Sequence, residues 1–97
     1  HPHVGDIRGI GMMTGIELVA DRATKRPFER SARVTERLVA AAFDLGMTVY
    51  PCTSAVDGAT GDALLLGPPL STADDELATM VLIVADSITQ VLPGSVV

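Results

Sequence analysis

The chain has 97 residues, of which 47% are hydrophobic and only 3% aromatic, and its formal net charge is −5. This length fits one small domain, residues 1–97, with a core built from aliphatic side chains. The acidic balance argues against nucleic acid or an anionic membrane surface as a partner, because each of them attracts a basic protein face.

Two segments at the start of the chain, residues 4–11 and 12–21, predict β-strands rich in Ile, Val and Met. In the second segment the odd-numbered residues 13–19 share one face and the even-numbered residues 14–20 share the other. Gly9 and Gly11 indicate a bulge or a hairpin bend between two antiparallel strands. The following residues, 21–30, hold four of the seven basic side chains and are typical of a solvated surface loop.

From Ser31 the apolar residues recur at a spacing of three or four, which predicts an amphipathic helix with Ser31 as its N-cap and Gly46 at its end. Its expected core positions are Val34, Leu38, Ala41 or Ala42, and Leu45. A short strand over 47–51 is expected to stop at Pro51, and a polar loop over 52–62 leads into a strand over 63–67. Pro68 and Pro69 should end that strand, because proline cannot donate a ladder hydrogen bond.

The last predicted element is a helix that starts at Thr72. Thr72 and Asp75 have the spacing of a capping box, and three successive acidic residues, 74–76, suit the positive end of the helix dipole. Leu82 and Ile83 lie off the main apolar stripe, which suggests a helix covered on more than one side. Pro93 and Gly94 are expected to end it. The main stripe consists of Leu77, Met80 or Val81, Val84, Ile88 and Val91.

The predicted order is therefore strand, strand, helix, strand, strand, helix. This order favours an α+β fold in two layers, with a small, mostly antiparallel sheet and both helices on one face. Such a fold hosts many functions, so the order of elements does not by itself identify one.

Cysteine usage and hydropathy bear on location. Cys52 is the only cysteine, which excludes an internal disulfide and favours a reducing, cytoplasmic compartment. The most apolar segment, residues 77–92, carries Asp86 and is too short to span a bilayer, and no signal peptide is recognisable. Because the chain opens with HPHVGDIRG and no initiator methionine, we expect it to be a piece of a longer protein.

Several candidate sites have simpler structural explanations. The glycines at 9, 11 and 15 do not match a dinucleotide fingerprint, because the spacing is one residue too long and the segment continues as a strand. His1 and His3 have no cysteine or acidic cluster near them in sequence that would complete a metal site, and we expect none. The loop between Asp57 and Asp62 lacks the ligand pattern of a calcium loop.

Four motifs, taken in order, carry a resemblance over nearly the whole chain. They are VGDIRGIG leading into GIEL, the helix end DLG, the strand VYP, and LLLGPPL followed by an acidic helix start. This arrangement resembles the C-terminal small domain of class III aminotransferases, the pyridoxal-phosphate enzymes of fold type I that include the omega-transaminases.

The resemblance implies a parent enzyme that transfers an amino group between an amine or amino acid and a keto acid or aldehyde. The cofactor, pyridoxal 5′-phosphate, would be held by a large domain that also supplies the Schiff-base lysine. The only lysine here, Lys25, lies in the charged loop, in a context unlike the lysine of the family. The resemblance therefore implies that this chain holds no catalytic or cofactor-binding residue, that it is inactive alone, and that the parent is a homodimer.

The resemblance also marks three positions that face substrate. Some family members place a carboxylate-binding arginine where Leu65 stands here, and others place one where Tyr50 stands. Arginine is suited to this role because its planar guanidinium meets a carboxylate in two charge-assisted hydrogen bonds. Arg8, in the motif IRG, matches the family and is a third candidate, although pairing with a local acid such as Asp6 or Glu17 at a strand edge is the favoured explanation.

Two other interpretations stay open at this point. The chain could be a stand-alone α+β module that binds or senses a ligand, or a pure association domain. The coding sequence upstream of His1 would separate them, since an aminotransferase requires a long open frame there.

Overall fold

The computed structural model describes residues 1–54 and 56–92 and shows one antiparallel sheet with strand order β1–β2–β4–β3. The strands and helices follow one another in the predicted order, with one additional 3-10 turn before the first helix. Their bounds are β1 Val4–Ile10, β2 Met13–Leu18, the 3-10 turn Arg30–Ala32, α1 Val34–Asp44, β3 Tyr50–Thr53, β4 Asp62–Leu66 and α2 Asp74–Val91. The predicted α+β fold in two layers is confirmed.

The first two strands form a hairpin whose turn is the pair Gly11 and Met12. Gly11 has φ +56°, a conformation that costs little without a Cβ. Of the two predicted alternatives for Gly9 and Gly11, a bulge or a hairpin bend, the structure has the bend, and a separate irregularity lies at Gly5, where the register shifts between residues 4 and 6. A Cβ on Gly5 would stand 2.7 Å from Cγ1 of Val19, so the bulge and the buried Val19 need glycine there. Val19, predicted on the same face as residues 13, 15 and 17, follows the end of β2 and is 2% exposed.

The third strand differs from its prediction in position. It begins at Tyr50, three residues later than expected, and Pro51 lies inside it instead of ending it. Because β3 is an edge strand, the missing N–H of Pro51 need not remove a ladder bond. The preceding residues Met47 and Val49 are buried and supply apolar side chains to the core from irregular backbone. The strand β4 ends at Leu66, before Pro68 and Pro69, as predicted.

The core lies between one face of the sheet and the two helices. The even-numbered residues of β2 point into it, as the alternation predicted, and both helices contribute to the same cluster, so they cover the same face. Leu45 was expected there but is 39% exposed, because α1 ends at Asp44 before the chain turns at Gly46. The buried cluster consists of Ile16, Leu18, Val34, Leu38, Ala42, Met47, Val49, Leu64, Val84, Ile88 and Leu92.

The first helix is capped from a distance. Ser31 is not its N-cap, as was predicted; it lies in the 3-10 turn, and the helix begins after Arg33, which has no side-chain cap bond. Asp62, at the start of β4, accepts hydrogen bonds from the backbone N–H of Thr35 (3.0 Å) and from its hydroxyl (2.5 Å). A buried carboxylate on a neighbouring strand thus replaces the local cap and ties α1 to β4.

The last helix begins at Asp74, two residues later than predicted. Its capping contact joins the Glu76 carboxylate to the backbone N–H of Ala73 at 3.2 Å, whereas the Thr72 hydroxyl donates to the carbonyl of Pro69. Of the alternatives Met80 or Val81, Met80 packs against the core and Val81 is 64% exposed. Ile83, expected off the stripe, also packs against the core. The predicted helix end at residues 93–94 lies outside the described residues.

Candidate functional site

The three candidate substrate-facing residues lie in one row on the open face of the sheet, opposite the helices. Arg8 pairs with Gly15, Gly15 with Leu65, and Leu65 with Tyr50. Directly paired residues share a face of the sheet, so the row crosses all four strands in their spatial order. With neighbouring strands about 4.8 Å apart, the backbone at Arg8 and at Tyr50 stands about 14 Å apart. The structure therefore brings Leu65 and Tyr50 together and places Arg8 at the far end of the row.

At one end of the row, Tyr50 and Leu65 form an apolar surface that carries a single phenol hydroxyl. Tyr50 is 66% exposed, and its ring stands beside Leu65 at a shallow depression of about 460 Å³ that also touches Met13 and Thr48. Neither residue has a cationic side chain. This end of the row can pack against an apolar group and offer one neutral hydrogen-bond donor, but it cannot form a bidentate pair with a carboxylate.

Gly15 leaves the middle of the row unfilled. A Cβ at this position would have only the carbonyl oxygen of Arg8 within 4 Å, at 3.9 Å, so the open face is free of side-chain volume there. The resulting depression of about 300 Å³ is bordered by Ile10, Met13 and Leu65. Met13 and Gly15 were not singled out as site residues from sequence, although the alternation in residues 13–19 already placed them on one face.

Arg8 carries the only positive charge in the row, and two carboxylates hold it. Its guanidinium lies 3.1 Å from Asp6 and 3.2 Å from Glu17, so the pairing considered from sequence occurs with both acids. The Arg8 side chain is 68% exposed, and exposed pairs of this kind contribute little stability. The pairs orient the guanidinium, and a substrate carboxylate would have to displace or share them.

Two groups that could contact pyridoxal phosphate, Lys25 and the N-terminus of α1, have partners within the chain. Lys25 donates from Nζ to the carbonyl oxygen of Gly5 and lies in the loop before α1, not in the open-face row. The N-terminus of α1, where a phosphate could bind, is already occupied by the carboxylate of Asp62.

The remaining polar candidates have structural roles. Nδ1 of His3 lies 2.9 Å from the carbonyl oxygen of Val19, and residues 1–54 and 56–92 contain no group of three metal-ligating side chains. Asp57 closes its own loop, accepting bonds from the N–H groups of Thr60 and Ala59 and from the Thr60 hydroxyl; these bonds hold the pKa of its carboxyl below the usual value. Among the same residues, no helix combines the length and hydropathy of a membrane span.

The sequence is similar to those of aminotransferases. No family model matches the chain. The aminotransferase YodT of Bacillus subtilis is 34% identical over 88 residues, which cover 91% of this chain and 20% of YodT. An adenosylmethionine-8-amino-7-oxononanoate aminotransferase of Nitratidesulfovibrio vulgaris is 46% identical over 80 residues, 82% of this chain and 13% of that protein. The chain thus spans about one fifth or less of the length of these curated relatives.

Solved structures of transaminases share the fold. A pyridoxal-phosphate-bound aminotransferase from Vibrio fluvialis superposes with a TM-score of 0.83 at 28% identity, over 96% of this chain and 19% of the other. An (S)-enantioselective omega-transaminase from Thermomicrobium roseum gives 0.82 at 32% identity, over 94% of this chain and 19% of the other. In both, the match is to a small part of a longer chain.

Proposed function

We propose that this chain, whose sequence relatives are aminotransferases and whose structural neighbours are transaminases, is the C-terminal small domain of a class III, pyridoxal-phosphate-dependent aminotransferase. The observation that carries the proposal is the match to the Vibrio fluvialis enzyme, which includes 96% of this chain but only 19% of that chain. A free-standing module of the same size would not be expected to align from end to end with one part of a larger enzyme. The fit of fold, motifs and length therefore favours an enzyme part over an independent binding or association domain.

In this proposal, residues 1–97 form one domain, and a large domain of the same polypeptide is its partner. That domain supplies the lysine and the groups that hold pyridoxal 5′-phosphate, which provides the electron sink for moving the amino group. The chain described here contributes binding and water exclusion on the substrate side. The proposal also includes a homodimeric parent and a cytoplasmic location.

The open-face row supports a specific substrate preference. At the two positions where the resemblance implies carboxylate-binding arginines, the chain has Leu65 and Tyr50, which stand side by side as an apolar wall with one phenol. Burying a carboxylate against leucine without a charged partner is unfavourable. The parent enzyme is therefore proposed to prefer amine donors without an α-carboxylate, or to hold carboxylates through large-domain residues.

Arg8 is proposed to act at the margin of this site. Its two acidic neighbours neutralise it, so it can meet an anionic group only by exchanging one of its present partners. It lies two strands from Leu65, across the gap at Gly15, and would contact the distal end of a long substrate before it contacted the reacting amine. Tyr50 and Leu65 are therefore the stronger candidates for setting donor preference.

The test uses the full-length enzyme and compares kcat/KM for a simple primary amine and for an α-amino acid. We expect the amine to be preferred, and Tyr50→Arg to shift the ratio toward the amino acid by about tenfold or more, the effect of one charge-assisted pair. Tyr50→Phe is the matched control and should leave the ratio nearly unchanged. A strong preference for the amino acid that is lost when Tyr50 is replaced would overturn the substrate proposal.

The proposal that the 97-residue chain is inactive alone has a separate test. Mixed with pyridoxal phosphate, the isolated chain should show neither lysine-linked pyridoxal absorbance nor amino transfer. Turnover by the isolated chain would contradict the assignment of the lysine to the large domain.

A further inference from the structure

The strand β1 forms one edge of the sheet, and part of its outer backbone is free. The hairpin has a two-residue turn, so the even-numbered residues of β1 exchange ladder bonds with β2. The N–H and carbonyl groups of the odd-numbered residues therefore point away from the sheet. Nζ of Lys25 donates to the carbonyl oxygen of Gly5 on this side, which fits that direction. Within the described part of the chain, nothing hydrogen-bonds to the outer groups of Ile7 or Gly9.

The sequence of this edge is symmetric about Ile7. Residues 4–10 read VGDIRGI, with a glycine two positions from Ile7 on each side and two opposite charges, Asp6 and Arg8, next to it. When two copies of the strand run antiparallel with Ile7 opposite the partner's Ile7, each Asp6 stands opposite the partner's Arg8, and each glycine stands opposite a glycine. An edge strand offers unpaired backbone to another chain, and here the charges match a second copy of the same strand.

The two charges also select one register. Moving the second strand by two residues places Asp6 opposite the partner's Asp6, or Arg8 opposite the partner's Arg8. A parallel pair in register sets each charge beside its own kind, and a one-residue shift brings residues from different faces of the two sheets opposite each other. Like charges opposite each other destabilise a strand pair, whereas opposite charges stabilise it. The charges of β1 therefore favour the antiparallel pair centred on Ile7.

The side chains at the centre of this edge are accessible. Ile7 is 63% exposed, and the side chains of Asp6 and Arg8 are 46% and 68% exposed. Within one copy, Arg8 contacts Asp6 at 3.1 Å and Glu17 at 3.2 Å. In the pair, Arg8 keeps Glu17 and exchanges its own Asp6 for the partner's Asp6 directly opposite. Each charge thus keeps a counter-charge when the two strands meet.

Lys25 limits how far the pair extends. Two bonds between Ile7 and the partner's Ile7 form without rearrangement, whereas the outer bonds between Gly5 and the partner's Gly9 need the carbonyl oxygen that now accepts from Lys25. Lys25 is exposed, so releasing this oxygen requires the movement of one surface side chain only. The contact is about 24 Å long and one strand deep, which places it among the small, reversible interfaces. A dissociation constant of about 10–100 µM is expected for an interface of this size.

We propose that β1 is a docking edge for a second copy of this chain. Two copies pair antiparallel through β1 about a two-fold axis at Ile7, and the four strands of each copy join into one continuous sheet. Asp6 and Arg8 of each copy set the register. In a parent that is itself a dimer, the same contact joins two dimers. The inference does not depend on the proposed function, because it uses only groups on the outer edge of β1.

Sedimentation velocity of the full-length protein over a concentration series tests the pairing. The mean mass of the unmodified protein should double as its concentration passes through about 10–100 µM, whereas that of Ile7→Pro should stay at the lower value. Proline at this position removes an outward N–H and leaves the ladder to β2 intact. Ile7→Val keeps the N–H and is the matched control, which should associate as the unmodified protein does. A mass that does not change over this range, or equal association of Ile7→Pro, would overturn the proposal.

Charge exchange tests the register and requires no proline. Asp6→Arg and Arg8→Asp should each weaken self-association about tenfold or more, because every copy then meets its own charge. An equimolar mixture of the two variants should associate again, because positions 6 and 8 are both positive in one variant and both negative in the other. A mixture that stays dissociated, or single variants that associate as the unmodified protein does, would refute the pairing.

Lys25 gives a change in the opposite direction. Lys25→Ala should tighten self-association about threefold or more, because the carbonyl oxygen of Gly5 becomes free to accept from the partner's Gly9. Arg26→Ala removes an exposed base from the same loop and is the matched control, which should stay within about twofold of the unmodified protein. Equal effects of the two variants would contradict the pairing of Gly5 with the partner's Gly9. None of these readouts requires activity, so their outcome is separate from the test of the proposed function.

Discussion

Removing the carboxylate of Asp62 should destabilise the domain more than any other single change to an acidic residue described here. Its side chain is 2% exposed, and Oδ1 accepts both the N–H and the hydroxyl of Thr35, with Arg30 at 3.6 Å. A hydrogen bond to a charged group contributes about 1.5–3 kcal/mol, and a donor left buried without a partner costs about 1–3 kcal/mol. The two bonds share one oxygen and are not additive, so we expect Asp62→Ala to lose about 3 kcal/mol.

Urea unfolding followed by circular dichroism at 222 nm measures this loss. With a slope of about 1–2 kcal/mol per molar for a small domain, the midpoint should fall by about 2 M. Asp62→Asn keeps an acceptor oxygen and should lose about 1 kcal/mol, as should Thr35→Val, which removes only the hydroxyl. Asp44→Ala, which removes an exposed carboxylate from the last turn of α1, is the control and should be neutral or slightly stabilising. A loss below about 0.5 kcal/mol for Asp62→Ala, typical of surface changes, would refute the reasoning that Asp62 caps α1.

Two further predictions concern backbone and pH. Gly5→Ala should lower the free energy of unfolding by about 1–3 kcal/mol in the same urea assay, because the new Cβ would stand 2.7 Å from a methyl of Val19. Gly67→Ala is the control and should change the free energy of unfolding little, because no atom lies within 4 Å of its new Cβ. The pKa of Asp57, measured by NMR titration, should lie below 3.8 in the folded chain because the N–H and hydroxyl of Thr60 donate to its carboxylate. The bonds to the ionised Asp57 carboxylate therefore stabilise the fold above the unfolded pKa, and this stabilisation is lost as the pH falls through the folded pKa. Asp57→Asn should abolish that part of the pH dependence of stability. A folded pKa of Asp57 at or above 3.8 would contradict the prediction.

The open-face row was only partly visible in the sequence. Alternation identified the outer face of β2, and the proline pair correctly ended β4, but no local pattern says which residue of β1 stands beside which residue of β2. The row depends on register, and in this sheet register follows from a two-residue turn at Gly11 and from the bulge at Gly5. No local pattern marked the irregularity at Gly5, whose close neighbour Val19 lies fourteen residues away in the chain.

The amino-acid sequence alone determined the order of the elements, the aliphatic core and the ends of several elements, because these depend on side-chain periodicity and on the backbone limits of glycine and proline within a few residues. Only the tertiary structure decided how α1 is capped, that Pro51 is tolerated on an edge strand, and that Arg8, Leu65 and Tyr50 share one row. It also decided which apolar residues of α2 are buried and which are exposed. The physical reason is that capping, pairing and burial each depend on a partner distant in the chain, and local propensity carries no information about which partner that is.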